Sequence, residues 1–155
     1  VNRAEVVDGV RFVAFSSASL QDPNPSFGEE TLEFLKAQVA AAGTQQLLIP
    51  GCHHPLDSGE FASRYDADRV LDALRPANVP LVLVGHGHIA RKYDFAGLDG
   101  VMGGSTFQAA NQRVNNSGYG VGHISGDRLV YAYKLAALDA ATTRLIDKKI
   151  APQAG

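Results

Sequence analysis

Four of the five histidines stand in two tight groups, Gly51-Cys52-His53-His54-Pro55 and Gly85-His86-Gly87-His88. Neutral imidazole is a common ligand for zinc, iron and related metals. Each group follows an apolar run that reads as a buried strand, and ligands of open α/β sheets bind just outside the carboxyl ends of the strands. Two histidine loops on neighbouring strand ends would therefore converge on one spot. Glycine on both sides of His86 is expected to let the backbone turn sharply and a bulky ligand approach. A lone His-x-His pair is more often a surface or core feature; two such groups, both placed after strands, point to a metal site. His54 is expected to point away, because it sits next to a ligand. His123 lies in a strand-like run and reads as structural.

Other chemistry is weaker. Cys52 adjoins His53, but a cysteine nucleophile needs a base within hydrogen-bond reach, and adjacent side chains on an extended segment point apart. Ser16, Ser17 and Ser19 lack a nucleophile-elbow pattern and read as loop or strand-end residues. Tyr65, Asp66 and Asp68 precede a helical pattern and read as caps and solvated charges.

The elements that must position the histidines follow from hydrophobic spacing. Residues 10–15 are apolar with β-branched and aromatic members, as a strand requires. Asp22-Pro23-Asn24-Pro25 is a loop. Ser26 followed by Glu29 has capping-box spacing. Leu32, Leu35, Val39 and Ala42 then share one helical face, and Gly43 is a stop. Residues 47–49 form a short apolar strand, 66–75 a helix ended by Pro76, and 81–84 the next apolar strand. Unbroken apolar strands separated by helices predict a parallel sheet covered on both faces. Beyond Gly85, strands are expected near 91–95, 100–102, 119–124 and 129–135. In the last of these Val130, Ala132 and Lys134 alternate with Tyr131, Tyr133 and Leu135, the pattern of a strand packed on both sides. The final 15 or so residues read as a helix or a frayed tail.

The chain has 155 residues, 45% of them hydrophobic and 19% charged, with a formal net charge of -2. That is ordinary globular composition for a single domain or a fragment of one. No basic run is present, so nucleic acid and anionic membranes are poor partners. One cysteine excludes an internal disulfide framework and gives no evidence of secretion. No apolar run reaches the roughly 20 residues a membrane span needs, and no signal peptide is visible. Localisation is left unknown, cytoplasmic or exported.

His53-His54-Pro55 and Gly85-His86-Gly87-His88 resemble the last two signature blocks of the calcineurin-like metallophosphoesterases, H-x-P and G-H-x-H. Their separation by a helix and an apolar strand is similar too, as is the upstream strand from Gly9 to Phe15 followed by a helix. The resemblance covers roughly residues 9–135. It implies the C-terminal half of a layered α/β sandwich holding a binuclear centre of two divalent or trivalent ions: manganese, iron or zinc. His53 and His86 would bind one ion and His88 the other, with His54, Gly85 and Gly87 beside them or near substrate. A bridging hydroxide would attack the phosphorus of a phosphate monoester or diester.

The family's earlier blocks, D-x-H, G-D-x-x-D and G-N-H followed by an acidic residue, are not found. Gly126-Asp127 is followed by Arg128-Leu129-Val130, which does not fit the second of them. Without a bridging carboxylate two cations a few ångströms apart repel strongly. No catalytic residue is therefore assigned on this chain. The carboxylates are expected from a missing N-terminal half, on the same polypeptide or as a partner, and an unpaired sheet edge could also recruit a second copy. Two other readings stand beside hydrolysis: a non-catalytic protein-interaction module on the same fold, and a mononuclear histidine site formed by this chain alone.

Overall fold

Alternating apolar runs and helical stretches set the order of elements. The computed structural model describes residues 2–18, 25–57, 59, 64–104, 117–136 and 142–151. It begins with a hairpin, β1 (Arg3–Val7) and β2 (Val10–Ala14), followed by α1 (Glu29–Ala42), β3 (Leu48–Gly51), α2 (Arg64–Leu74) and β4 (Val82–Val84). A second hairpin, β5 (Arg91–Phe95) and β6 (Leu98–Met102), precedes β7 (Gly118–Ser125), β8 (Arg128–Leu135) and β9 (Thr142–Lys149).

Two sheets result. The larger has the order β1-β2-β3-β4-β6-β5, with β2, β3, β4 and β6 parallel and antiparallel strands at both edges. The smaller, β7-β8-β9, is fully antiparallel. Leu32, Leu35 and Val39 of α1 and Val70, Leu71 and Leu74 of α2 pack with Val13, Leu48 and Val82 in one core between helices and sheet. Burying each such side chain stabilises the fold by roughly 1.5–3 kcal/mol. On the opposite face Leu81 and Val101 meet Leu129, Tyr131 and Ile146 of the smaller sheet. The molecule is thus a mixed α/β fold of three layers: helices, six-stranded sheet, three-stranded sheet. Among the described residues no helix is long and apolar enough to cross a membrane.

Several expectations change. The final segment contains β9 rather than a helix or a frayed tail. The first helix is capped by Gly28, with no side-chain cap hydrogen bond, so the capping box at Ser26 does not form. The Ser26 N–H instead donates to the Ser17 carbonyl, which draws that segment towards the strand end. Gly43 does stop the helix, at φ 60, with its N–H on Val39 O. In β8, Leu129, Tyr131 and Tyr133 are buried and the opposite face is half-buried, so the strand is covered fully on one side only. Ser19 and the loop at 22–24 lie outside the described residues.

Candidate metal centre

Three parallel strands deliver their C-terminal loops to one end of the larger sheet. The Phe15 N–H donates to Gly51 O at 3.0 Å, Cys52 N–H to Leu83 O at 3.0 Å, and Gly85 N–H to His53 O at 2.8 Å. The hydrogen-bond ladder therefore runs on past the strand ends and fixes the two histidine loops against each other. A shallow open cleft of about 450 Å³ lies there, bordered by Phe15, Cys52, His53 and Gly85.

His53, on the border of this cleft, comes together with His54 and His86, one ring nitrogen from each lying within 4.8 Å of the others. His53 Nε2 and His86 Nδ1 are 3.3 Å apart. Two ligands on a tetrahedral zinc, at bonds of about 2.0–2.1 Å, stand about 3.3–3.4 Å apart, so this pair is already spaced for a shared ion. The third nitrogen needs a modest approach. No carboxylate or thiolate belongs to the group among the described residues. The donor set, all imidazole, suits zinc, copper, iron or nickel.

His54 overturns the expectation that it points away. Residues 53 and 54 form a bend rather than an extended segment, so neighbouring side chains can share a side. His54 is 8% exposed. Its Nδ1 lies 2.9 Å from Ser17 Oγ, and its backbone N–H donates to the same oxygen at 3.1 Å. With the proton on Nδ1 donated to Ser17, the lone pair resides on Nε2, the form a metal requires. Ser17, 2% exposed, thus orients the ring from the loop after β2. Only its place as a small polar residue just past an apolar strand could have marked it.

His88 stands outside the group of three; it is exposed and has a φ of 55. The sharp turn also differs from expectation. Gly87 N–H donates to Gly85 O at 3.0 Å across His86, whose φ is 76. That is a γ-turn of the rarer, left-handed kind, and His86 itself adopts the unusual conformation. The flanking glycines give close approach instead. A Cβ on Gly87 would lie 2.8 Å from Met102 Sδ, and one on Gly85 3.4 Å from His53 Nδ1.

Cys52 is chemically quiet. Its thiol donates to His54 O at 3.2 Å. Burial pushes it up to about 12, against a smaller opposing pull from the Ser17 hydroxyl. His123 is exposed on β7, opposite Val130, which does not fit a buried structural role. Tyr65 is 67% exposed beneath the Arg69 guanidinium, and Asp66 faces the same arginine at 3.7 Å.

No protein-family profile matches the sequence, and no curated protein matches it. Among solved structures the chain is similar to one described as GAP50, the anchor in the inner membrane complex of Plasmodium, with a TM-score of 0.65 and 17% identity. That match covers 99% of this chain and 54% of the other. Vps29 from Entamoeba histolytica, complexed with zinc, matches at a TM-score of 0.35 and 10% identity, over 88% of this chain and 98% of that one. A double mutant of Vps29 gives a TM-score of 0.34 and 11% identity, over 89% and 99%. What the comparisons show is a shared α/β fold, of which this chain spans about half the length of the GAP50 structure.

Proposed function

We propose that this chain carries the histidine side of a metal centre in a metallophosphoesterase-like domain, and that the completed centre hydrolyses a phosphate monoester or diester. The observation that carries the reading is the His53–His86 pair, 3.3 Å apart at the ends of parallel strands, with His54 beside it. His53, His54 and His86 would hold the first ion, with Ser17 keeping the His54 ring in place. His88, on the same loop as His86, is proposed for a second ion once carboxylates from outside these residues complete the site. Bound metal supplies Lewis acidity and an acidified water. The fold likeness supports an outside source of carboxylates, because the GAP50 structure contains nearly as much polypeptide again.

A non-catalytic interaction module is the second reading. Two observations favour it: among the described residues the histidine group includes no carboxylate, and the fold relative is described as an anchor.

The test is zinc titration of this chain by calorimetry, together with p-nitrophenyl phosphate and bis-p-nitrophenyl phosphate assays in manganese. Saturable zinc binding that is lost in His53→Ala and His86→Ala is expected, with negligible turnover. Absence of zinc binding would remove the metal reading. Turnover by the chain alone, abolished by His86→Ala, would show that outside carboxylates are not needed. In any longer natural polypeptide containing this chain, His86→Ala should remove both metal and hydrolysis; hydrolysis that survives it would favour another site.

A further inference from the structure

His54 takes its orientation from Ser17, yet Ser17 lies in no strand or helix. β2 ends at Ala14, and the Phe15 N–H on Gly51 O carries the ladder to β3 one residue further. Past that point the chain leaves the sheet. A hydroxyl can hold two atoms of another residue in place only if its own backbone is fixed. Something must therefore anchor residues 16 and 17.

Two contacts do so. Ser17 O accepts from the Ser26 N–H at 3.3 Å, and the Ser16 N–H donates to Asn2 Oδ1 at 2.9 Å. The second follows from the strand pattern. The N–H groups of Arg11 and Phe15 face β3, where they reach Leu47 O and Gly51 O. By strand alternation the N–H groups of Phe12 and Ala14 face β1 instead, which pairs with β2 from Val7↔Val10 to Arg3↔Ala14. The Ser16 N–H is the next in that series. It emerges just beyond the end of β1, and the side-chain amide of Asn2 meets it there.

The other end of the amide is held as well. Asn2 Nδ2 donates to Thr31 Oγ1 at 3.3 Å, and Thr31, in the first turn of α1, is 8% exposed. The Ser16 N–H can only donate, so it requires the amide oxygen and turns the NH₂ towards the hydroxyl. One half-buried asparagine thus ties the start of β1, the chain leaving β2 and the start of α1 to each other. Ser16 Oγ reaches only Ala18 O, at 3.1 Å, and so closes a local turn without anchoring it.

We infer that Asn2 is a positioning residue for the metal centre, acting through Ser17 on the ring of His54; this rests on the metal reading above. Without the amide, the segment from Ser16 to Ser17 is free to shift. A displacement of about 0.5 Å takes Ser17 Oγ beyond hydrogen-bond reach of one of its two His54 donors. The ring then loses what keeps its proton on Nδ1 and its lone pair on Nε2, facing the ion.

The test has two readouts, both on the whole chain. The first needs no metal: the imidazole nitrogen-15 shifts recorded in EDTA at about pH 8.5, well above the usual histidine value of about 6.5. His54 of the parent should show one tautomer, protonated on Nδ1. Asn2→Ala should yield a mixture of tautomers, as should Ser17→Ala, while the His123 signals stay in place. Asn2→Asp, which keeps Oδ1, should return the parent spectrum. Thermal melting verifies folding, and Thr31→Val, which removes the far anchor of the amide, should shift the same signals and stands in if Asn2→Ala does not fold.

The second readout is zinc affinity by calorimetry. Asn2→Ala should lower it roughly three- to tenfold, short of the 10–100-fold typical of a group that touches the ligand itself. In a Ser17→Ala background the same substitution should cost less than about twofold more, because the atom it acts through is gone. An equal loss in both backgrounds would reduce Asn2 to a general stabiliser and overturn the inference. So would a His54 ring unchanged in folded Asn2→Ala, and in that case zinc binding by the parent would leave the metal reading standing. If the parent binds no zinc, the metal reading falls, and with it the role of Asn2 at a metal centre, whereas the tautomer readout still shows whether Asn2 orients His54.

Discussion

Ser17→Ala deletes a single hydroxyl on which two atoms of His54 depend. A ring nitrogen at 2.9 Å and a backbone N–H at 3.1 Å both lose this contact, in a place where Ser17 is 2% and His54 8% exposed. Leaving a buried polar group unsatisfied costs about 1–3 kcal/mol. For a domain of this size that lowers Tm by a few degrees per kcal/mol. The metal-bound form has more to lose. Outer partners of ligating histidines typically contribute 10–100-fold in metal affinity, or about 1.4–2.8 kcal/mol. Zinc calorimetry and urea unfolding of the same samples separate the two effects. Ser17→Thr, which keeps the oxygen, should restore most of the affinity. If Ser17→Ala and His54→Ala bind zinc as tightly as the parent chain while His53→Ala and His86→Ala do not, His54 is not a ligand. His88→Ala then becomes the deciding variant.

Other consequences are more local. Burial pushes the Asp99 carboxyl up, but Lys148 and Lys92 outweigh it and hold it below the usual carboxylate range. Its contribution to stability is thus complete above the unfolded carboxylate value of about 4 and is lost as pH falls through the lower folded value; Asp99→Asn should flatten the acid limb of the Tm–pH curve, and an unchanged limb would refute this. Cys52, with its thiol pushed up to about 12, should be alkylated by iodoacetamide at pH 8 far more slowly in the native chain than in urea, and equal rates would contradict its sheltered position. The neutral thiol favours the fold up to the unfolded value, so this contribution should fade as pH rises from about 9 towards 12. Gly100→Ala would put a Cβ near 2.7 Å from Phe95 Cδ2 and closer still to Cε2, in a ring 2% exposed. A loss of about 1–3 kcal/mol in urea unfolding is expected; a loss within error would mean the ring swings aside freely.

The parallel part of the fold was readable because its strands are apolar and its helices periodic. β5 matched residue for residue; strand-end logic led to the convergence of the two histidine loops, while the pairing of His53 with His86 came from the family resemblance. What escaped did so for physical reasons. β1 and β9 are edge strands whose charges, among them Glu5, Arg144 and Asp147, obscure the apolar alternation. A clue to β1 was present: Asp8 and Gly9, at φ 49 and 81, form the two-residue turn that Asp-Gly favours in hairpins. The placement of His54 was missed because the bend at 53–54 breaks the rule that adjacent side chains diverge. Ser17 was missed because its partner is 37 residues away, and no local spacing can announce such a contact.

The loop bearing His86 and His88 has its residue types the wrong way round for its backbone. The positive φ values fall on the two histidines, while Gly85 and Gly87, the residues able to adopt them without strain, do not have them. Holding a non-glycine residue there costs on the order of 1–3 kcal/mol. Glycine at 86 or 88 would relax the turn and make the chain harder to unfold, at the expense of its imidazole. Stability and ligation thus pull in opposite directions at these two positions. Selection for folding alone would erode the histidines, and a variant library screened only for heat resistance should lose them early.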